Sequence, residues 1–349
     1  MARVVSIDDE KQMERLSETL FRAVQSSHLS FLLGAGASCP GVAPAGNAEA
    51  EIQQLVIDGE TDAAEKRTVE FLQSFAAPMK ELLSDTPSGE VEKTLNQYVR
   101  FIQTVDGMLA ERKNTLLPKQ ASIFTTNYDL FSERASEEIP SIILNDGFNR
   151  VPSLRSPHRF MSEKLFDSTH HVGNLYDYTA ELPSINLIKL HGSMTWARQK
   201  DDVIYSVMDF DALAGVDASN KEEVVAILQA LPIVLPTQRK FHQTILERTY
   251  YDLLRVFANV LEREGSLLIA FGFSFRDEHI FEVVKRALRN PTLKLIVCCF
   301  DPAEVEGLQE KFLSYNNVSL LKPAEKGDLD FKWLSDLLAR IAPVRPASA

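Results

Sequence analysis

The chain has 349 residues, 45% apolar and 25% charged, a balance that excludes a largely disordered or fibrous protein. Its 37 Lys and Arg against 49 Asp and Glu give a net charge of −12, which argues against nucleic-acid binding by bulk basic charge. Three cysteines, Cys39, Cys298 and Cys299, are too few for a disulfide scaffold or a four-cysteine zinc site, and the expected compartment is a reducing cytoplasm.

Residues 8–27 place Met13, Leu16, Leu20 and Val24 three and four apart and predict an amphipathic helix. The run 29–33 predicts a strand that stops at Gly34-Ala35-Gly36-Ala37-Ser38, and 43–59 return as a helix. Residues 60–117 keep helical spacing on either side of a break at 84–89 and predict an inserted helical hairpin. A strand over 122–127, a helix over 128–138 and a short strand over 141–144 follow. Residues 147–183, with Pro152, Pro157 and Pro183, predict a loop-rich insertion or lid. Strands are expected over 186–190, 203–207 and 233–235, then a helix over 245–264. The remainder alternates strand 266–273, helix 277–288, strand 293–300, helix 303–313, strand 318–321 and helix 329–341, with a frayed tail over 343–349. The apolar runs 266–273 and 293–300 are far shorter than the ~20 residues of a membrane span, and the charged N-terminus does not read as a signal peptide. Alternating apolar strands and helices predict one α/β domain over 1–349, a Rossmann-like parallel sheet covered on both faces.

Ligands of such sheets bind at the carboxyl ends of the strands. Here those ends read GAGAS, TTNYD, LHGS, GFSF and FDP, so small, polar and ionisable groups crowd all five. The glycines of Gly34–Ser38 admit a phosphate near the backbone, and Ser38 supplies a hydroxyl; alone, the turn reads equally well as a tight strand–helix connection. The dinucleotide fingerprint would need glycine where Cys39 stands, and the P-loop lysine is missing. Asn127 offers a carboxamide able to hold water without taking its proton, and Asp129 is either a site residue or a helix cap. His191, with Gly192 leaving room beside it, is an imidazole suited to base chemistry at a sugar hydroxyl. Ser274, after Gly272, can bond ribose or phosphate. Asp301 either bonds an adenosine hydroxyl or caps a helix, and for Asp277 the cap is the favoured reading. His170-His171 with Asp167 lacks metal-ligand spacing and reads as a polar loop, and Cys298-Cys299 reads as a buried thiol pair.

These motifs, in this order, resemble the sirtuin-type NAD-consuming proteins, whose fold is a sirtuin or deoxyhypusine-synthase-like NAD-binding one. They resemble more closely the bacterial SIR2-like branch found in antiphage defence, including the subunit encoded with a HerA-type ATPase. The matching stretches are GAGAS at 34–38, TTNYD at 125–129, LHG at 190–192 and GFSFRDEH at 272–279, with 231–254 similar to the segment the branch carries before GFSF. The resemblance implies a catalytic pair, Asn127 and His191. It implies NAD contacts from Gly34, Ala35, Gly36, Ser38 and Ser274, with Asp129 near the ribose. The four zinc cysteines and the Pro-Asp-Phe-Arg element of the family's protein deacylases are missing, which puts a peptide-deacylating role in doubt.

The expected activity is therefore hydrolysis of the nicotinamide–ribose bond of NAD, consumed as substrate without zinc. The expected setting is a gated, NAD-depleting effector of abortive infection. Two alternatives stand beside it: a non-catalytic NAD or ADP-ribose sensor, and ADP-ribose transfer to another molecule. Gating implies a homo-oligomer or a partner such as a HerA-type ATPase, with a short Argonaute as alternative. No membrane or direct nucleic-acid contact is expected.

Overall fold

In a computed structural model, residues 2–43, 47–114, 116–150, 157–173, 179–200, 202–233 and 244–341 are described. Strand β1 (Arg3–Ser6) leads into α1 (Glu10–Ser26), whose start is fixed by Asp9 accepting the Gln12 amide at 3.1 Å. Strand β2 (His28–Leu33) ends in a 3₁₀ turn over Ala35–Ser38. Helices α2 (Ala48–Ile57), α3 (Thr61–Gln73), α4 (Ala76–Leu82) and α5 (Gly89–Ala110) follow. Next come β3 (Gln120–Thr125), α6 (Phe131–Glu137) and β4 (Ile143–Asn145). Strands β5 (His170–Val172) and β6 (Thr179–Glu181) form a small antiparallel pair. After β7 (Ser184–Lys189), strands β8 (Trp196–Gln199) and β9 (Asp202–Tyr205) form another. Helices α7 (Phe210–Gly215), α8 (Lys221–Ala230) and α9 (Thr244–Glu262) lead to β10 (Ser266–Phe271) and α10 (Glu278–Ala287). The chain continues through β11 (Lys294–Cys298), α11 (Glu304–Lys311), β12 (Val318–Lys322) and α12 (Phe331–Ile341).

Eight of these strands make one sheet in the order β1-β12-β11-β10-β2-β3-β7-β4, and every pairing in it is parallel. All six residues of β7 and of β10 are buried, the signature of strands covered on both sides. Side chains alternate: Leu29, Phe31 and Leu33 of β2 enter a core shared with α1, α5 and α12, while Leu32 faces the opposite core with Phe257 of α9 and Ile280 of α10. The parallel α/β sheet expected from the sequence is thus the architecture observed. No helix among the described residues is long and apolar enough to cross a membrane.

The sheet also corrects several readings. Strand β1 was unforeseen because it is four residues long and gains its regularity only by pairing with the C-terminal β12, Val5 opposite Leu321. The expected hairpin over 60–117 is three helices. It breaks a second time at Ser74–Phe75, where the Ser74 hydroxyl donates to Phe71 O at 2.6 Å and Pro78 sits in the first turn of α4. Helix α5 is part of the sheet's cover, burying Tyr98, Phe101, Ile102 and Val105 in the core. Helices α7 and α8 and strand β8 were also missed. Residues 231–233 are irregular; 234–235 and the tail 343–349 lie outside the described residues.

Order along the sheet locates the crevice. From β2 the chain moves outward on one side through β3 to the edge strand β4, comes back to β7 between them, then crosses to the other side at β10. The two halves diverge between β2 and β10, and the loops after these strands flank the switch point where α/β sheets hold ligands.

Candidate functional site

Loops following β2, β3, β7 and β10 enclose a cavity of about 250 Å³. Asn127 and His191, from different strand ends, both line it, as do Ala35, Ser38, Asp129, Gly272 and Ser274. Gly34 and Gly36 are not among its lining residues; they pack against the loop after β10, where a Cβ on Gly34 would lie 2.4 Å from Gly272 O, and one on Gly36 2.7 Å from Gly272 Cα. Their N–H groups donate to Phe271 O at 3.0 Å and Gly272 O at 3.1 Å. The glycine turn therefore joins two strand-end loops, and those two amides are engaged within the protein. Asp301 does not line this cavity; its carboxylate caps the Ala303 amide at 2.9 Å and pairs with Lys326 at 3.5 Å.

Behind the cavity floor is a buried polar network. The Ser38 hydroxyl donates to Asp129 Oδ2 at 2.6 Å, so it accepts from Asn127 Nδ2 and from the Tyr98 phenol, each at 3.0 Å. Asn127 Nδ2 also donates to Gly34 O at 3.0 Å. Asp129 Oδ1 receives the amide of Phe131, the first residue of α6, at 3.2 Å. Burial and the nearby Asp129 charge push the Tyr98 phenol well above its usual range, keeping it a neutral donor. The same two causes raise the Cys39 thiol, which makes it a poor nucleophile. With both amide protons of Asn127 engaged, its Oδ1 is left without a hydrogen bond among the described residues.

His191 follows β7, and Gly192 turns the chain beside it with φ +85°; a Cβ there would also lie 2.5 Å from Pro232 O. The imidazole Nε2 lies 3.0 Å from Asp277 Oδ2, while Asp277 Oδ1 accepts the amides of His279 and Ile280 at 3.0 and 3.1 Å. Burial opposes the charge of Asp277, but the His191 hydrogen bond and charge and the α10 amide outweigh it, so its carboxyl sits below the usual value. Tyr128 and Tyr250 lie near the ring at 6.4 and 6.2 Å between centroids. Burial, then the Asp277 charge, raises the Tyr250 phenol.

One buried cation ties the two catalytic candidates together. Lys189, 4% exposed, donates to Asn127 O at 3.4 Å and to Asp129 O, and pairs with Glu133 Oε1 at 3.2 Å. Glu133 is held above the usual carboxylate range by burial, against the pull of Lys189. The loops themselves are laced together by Leu190 N to Thr125 O at 2.8 Å and Met194 N to Tyr128 O at 3.0 Å.

The cavity has an aromatic wall and a polar mouth. Phe71 and Phe75 stand edge-to-face with Tyr128 at 6.3 and 6.2 Å. At the mouth, Ser274 and Arg276 are exposed and have no hydrogen bond or ion pair among the described residues. Reading the sequence missed Tyr98, Phe71, Phe75, Lys189 and Arg276 as site residues, and favoured the capping role for Asp277. Lysine inside the apolar run INLIKL was the one available signal, since a buried cation needs partners. Among the described residues, no three His, Cys, Asp or Glu side chains gather as a metal-binding group, and His170 and His171 are exposed on β5.

A sequence model of the SIR2-like domain matches residues 121–321, more than half of the chain. The match spans Asn127, His191 and Ser274 and begins after the glycine turn. No curated protein matches the chain. Among solved structures, a SIR2 homologue in complex with NAD is similar at 14% identity over 93% of both chains, with a TM-score of 0.46. Another, Sir2Tm bound to a propionylated peptide, is similar at 15% identity over 93% of this chain and 98% of that one, with a TM-score of 0.47.

Proposed function

The chain belongs to the SIR2-like domain family, and on that premise we propose that it hydrolyses NAD at the nicotinamide–ribose bond, releasing nicotinamide and ADP-ribose. One observation carries the reading: at the sheet's switch point, Asn127 and His191 line one cavity. There Asn127 keeps an acceptor oxygen, and His191 keeps a ring nitrogen, without partners among the described residues. Binding alone needs neither.

The residues present fit a dinucleotide. Ser274 and the Arg276 guanidinium at the mouth suit a pyrophosphate, beside a glycine turn whose Gly34 and Gly36 amides are already engaged. The aromatic wall of Phe71, Phe75 and Tyr128 suits a flat ring and shields the reacting carbon from bulk water. Asn127 Oδ1 accepts a hydrogen bond from a water and aims its oxygen at the anomeric carbon. The carbon–nitrogen bond breaks with its electron pair passing to nicotinamide, the water oxygen bonds to the carbon, and the released proton leaves through His191 to solvent.

Uncontrolled loss of NAD would kill the cell that makes the protein, so the proposal includes gating, by self-association or by a partner such as a HerA-type ATPase, in an antiphage setting. The sequence motifs support that extension. Incubation of the purified chain with NAD, alone and with the proteins encoded beside it, followed by mass spectrometry, tests the reaction. Free nicotinamide and ADP-ribose are expected, with Asn127→Ala and His191→Ala binding the dinucleotide but leaving it intact. Full NAD loss by both variants would overturn the assignment, as would a modified target or unchanged NAD under every condition.

A further inference from the structure

We infer that Asp277 is a positioning residue that fixes the tautomer of His191, so that Nδ1 is the ring nitrogen presented to the substrate. This deepens the hydrolase reading and rests on it. A carboxylate only accepts hydrogen bonds. With Asp277 Oδ2 at 3.0 Å, Nε2 must carry the proton, and in the neutral ring Nδ1 is then the bare, basic nitrogen. His191 lines the cavity and its Nδ1 has no partner among the described residues. The Tyr128 and Tyr250 rings lie near the imidazole, at 6.4 and 6.2 Å between centroids, and Gly192 turns the backbone beside it. Asp277 thus has two duties divided between its oxygens: Oδ1 caps α10 through the amides of His279 and Ile280, and Oδ2 orients His191.

That division makes a sharp test possible. Asparagine is as good a helix cap as aspartate, so Asp277→Asn keeps Oδ1 on the α10 amides. Its NH₂ then occupies the place of Oδ2 and faces His191 as a donor. Nε2 must now accept, the proton moves to Nδ1, and the base facing the cavity is lost. Asp277→Ser also caps α10, but its hydroxyl is too short to reach His191, so the ring is freed without being inverted.

The experiment compares wild type, Asp277→Asn, Asp277→Ser and His191→Ala in NAD turnover. It also reads the tautomer of His191 by ¹⁵N NMR on histidine-labelled protein, with His191→Ala assigning the signal. In wild type the neutral ring should be the Nε2–H form. In Asp277→Asn it should be the Nδ1–H form, with kcat lowered at least about 10²-fold and KM little changed. Asp277→Ser should give a mixture of tautomers and a smaller loss. Equal tautomers in wild type and Asp277→Asn would overturn the inference, as would wild-type kcat in Asp277→Asn. A rise in KM with kcat intact would mean that Asp277 touches substrate instead, and would also overturn it. The hydrolase reading fails separately, if His191→Ala turns over NAD at the wild-type rate.

Discussion

Replacing Lys189 by Met tests whether one buried ion pair holds the loops of Asn127 and His191 in register. Lys189 is 4% exposed and Glu133 14% exposed, their charged atoms 3.2 Å apart, with two main-chain oxygens, of Asn127 and Asp129, also on the ammonium. Methionine fills much of the same volume, so the loss is mainly electrostatic. Glu133 would be left buried without a countercharge, a change that costs about 3–5 kcal/mol. Total stabilities of folded domains are about 5–15 kcal/mol, so urea denaturation should register it plainly. Adding Glu133→Gln removes the orphaned charge, and the double variant should regain most of the stability but not the turnover, because the carbonyls of Asn127 and Asp129 remain unheld. The pH dependence has a definite sign. Burial already raises the folded-state value of Glu133, and removing Lys189 raises it further. Between the ordinary carboxyl value and the raised one, the folded chain holds a proton that the unfolded chain releases, so stability falls as pH rises through that window. The Lys189→Met deficit should shrink toward pH 5 and widen toward pH 8. A single-variant loss below about 1 kcal/mol, or a double variant as unstable as the sum of both singles, would refute the reasoning.

Two further outcomes follow from the floor of the site. Gly272 has φ +63°, and a Cβ there would lie 2.5 Å from Ala37 N, so Gly272→Ala combines left-handed backbone strain with a clash between two backbones. A loss of about 2–5 kcal/mol is expected in thermal unfolding, whereas Gly327→Ala, with φ +92° and its nearest atom at 3.8 Å, should show only the backbone part, about 1–2 kcal/mol. Equal losses would show that the close contact is unimportant. Tyr98→Phe removes one neutral hydrogen bond at 3.0 Å from Ser38, which keeps Asp129 and Asn127, so about 1 kcal/mol of stability should go, read by urea denaturation. A loss above about 3 kcal/mol would mean that the phenol does more than hold Ser38.

Long apolar strands and amphipathic helices were legible because their patterns are local. The runs that became β2, β10 and β11 are largely apolar on both faces, which identifies a covered parallel sheet from the sequence alone. What escaped was set by distant partners. Strand β1 is four residues whose regularity depends on β12, more than 300 positions away. The extra break after α3 depends on Ser74 bonding back to Phe71 and on Pro78, signals that a count of apolar spacings does not register. Helices α7 and α8 are short and draw their order from packing against α4 and α3.

In the site, residue types were legible and their bonding was not. The strand-end rule brought Asn127, His191, Ser38 and Ser274 to one crevice, because topology alone decides which loops share an edge of the sheet. It could not say which polar atoms are already engaged there. Ser38 supplies a hydroxyl in the sequence, yet its proton goes to Asp129. The glycine turn has amides to offer a phosphate, yet those of Gly34 and Gly36 fasten β2 to the loop after β10. Asp277 looks like a helix cap and is one, but only with one of its two oxygens. Among the described residues, groups still open to a ligand include the Asn127 oxygen, one nitrogen of His191, the Ser274 hydroxyl and the Arg276 guanidinium. An acceptor and a base lie deep, with a donor and a cation at the mouth. That polarity is what the proposed hydrolysis needs, a reactive sugar inside and phosphates near solvent, with Ser38, Lys189 and Asp277 bonded to the groups behind it.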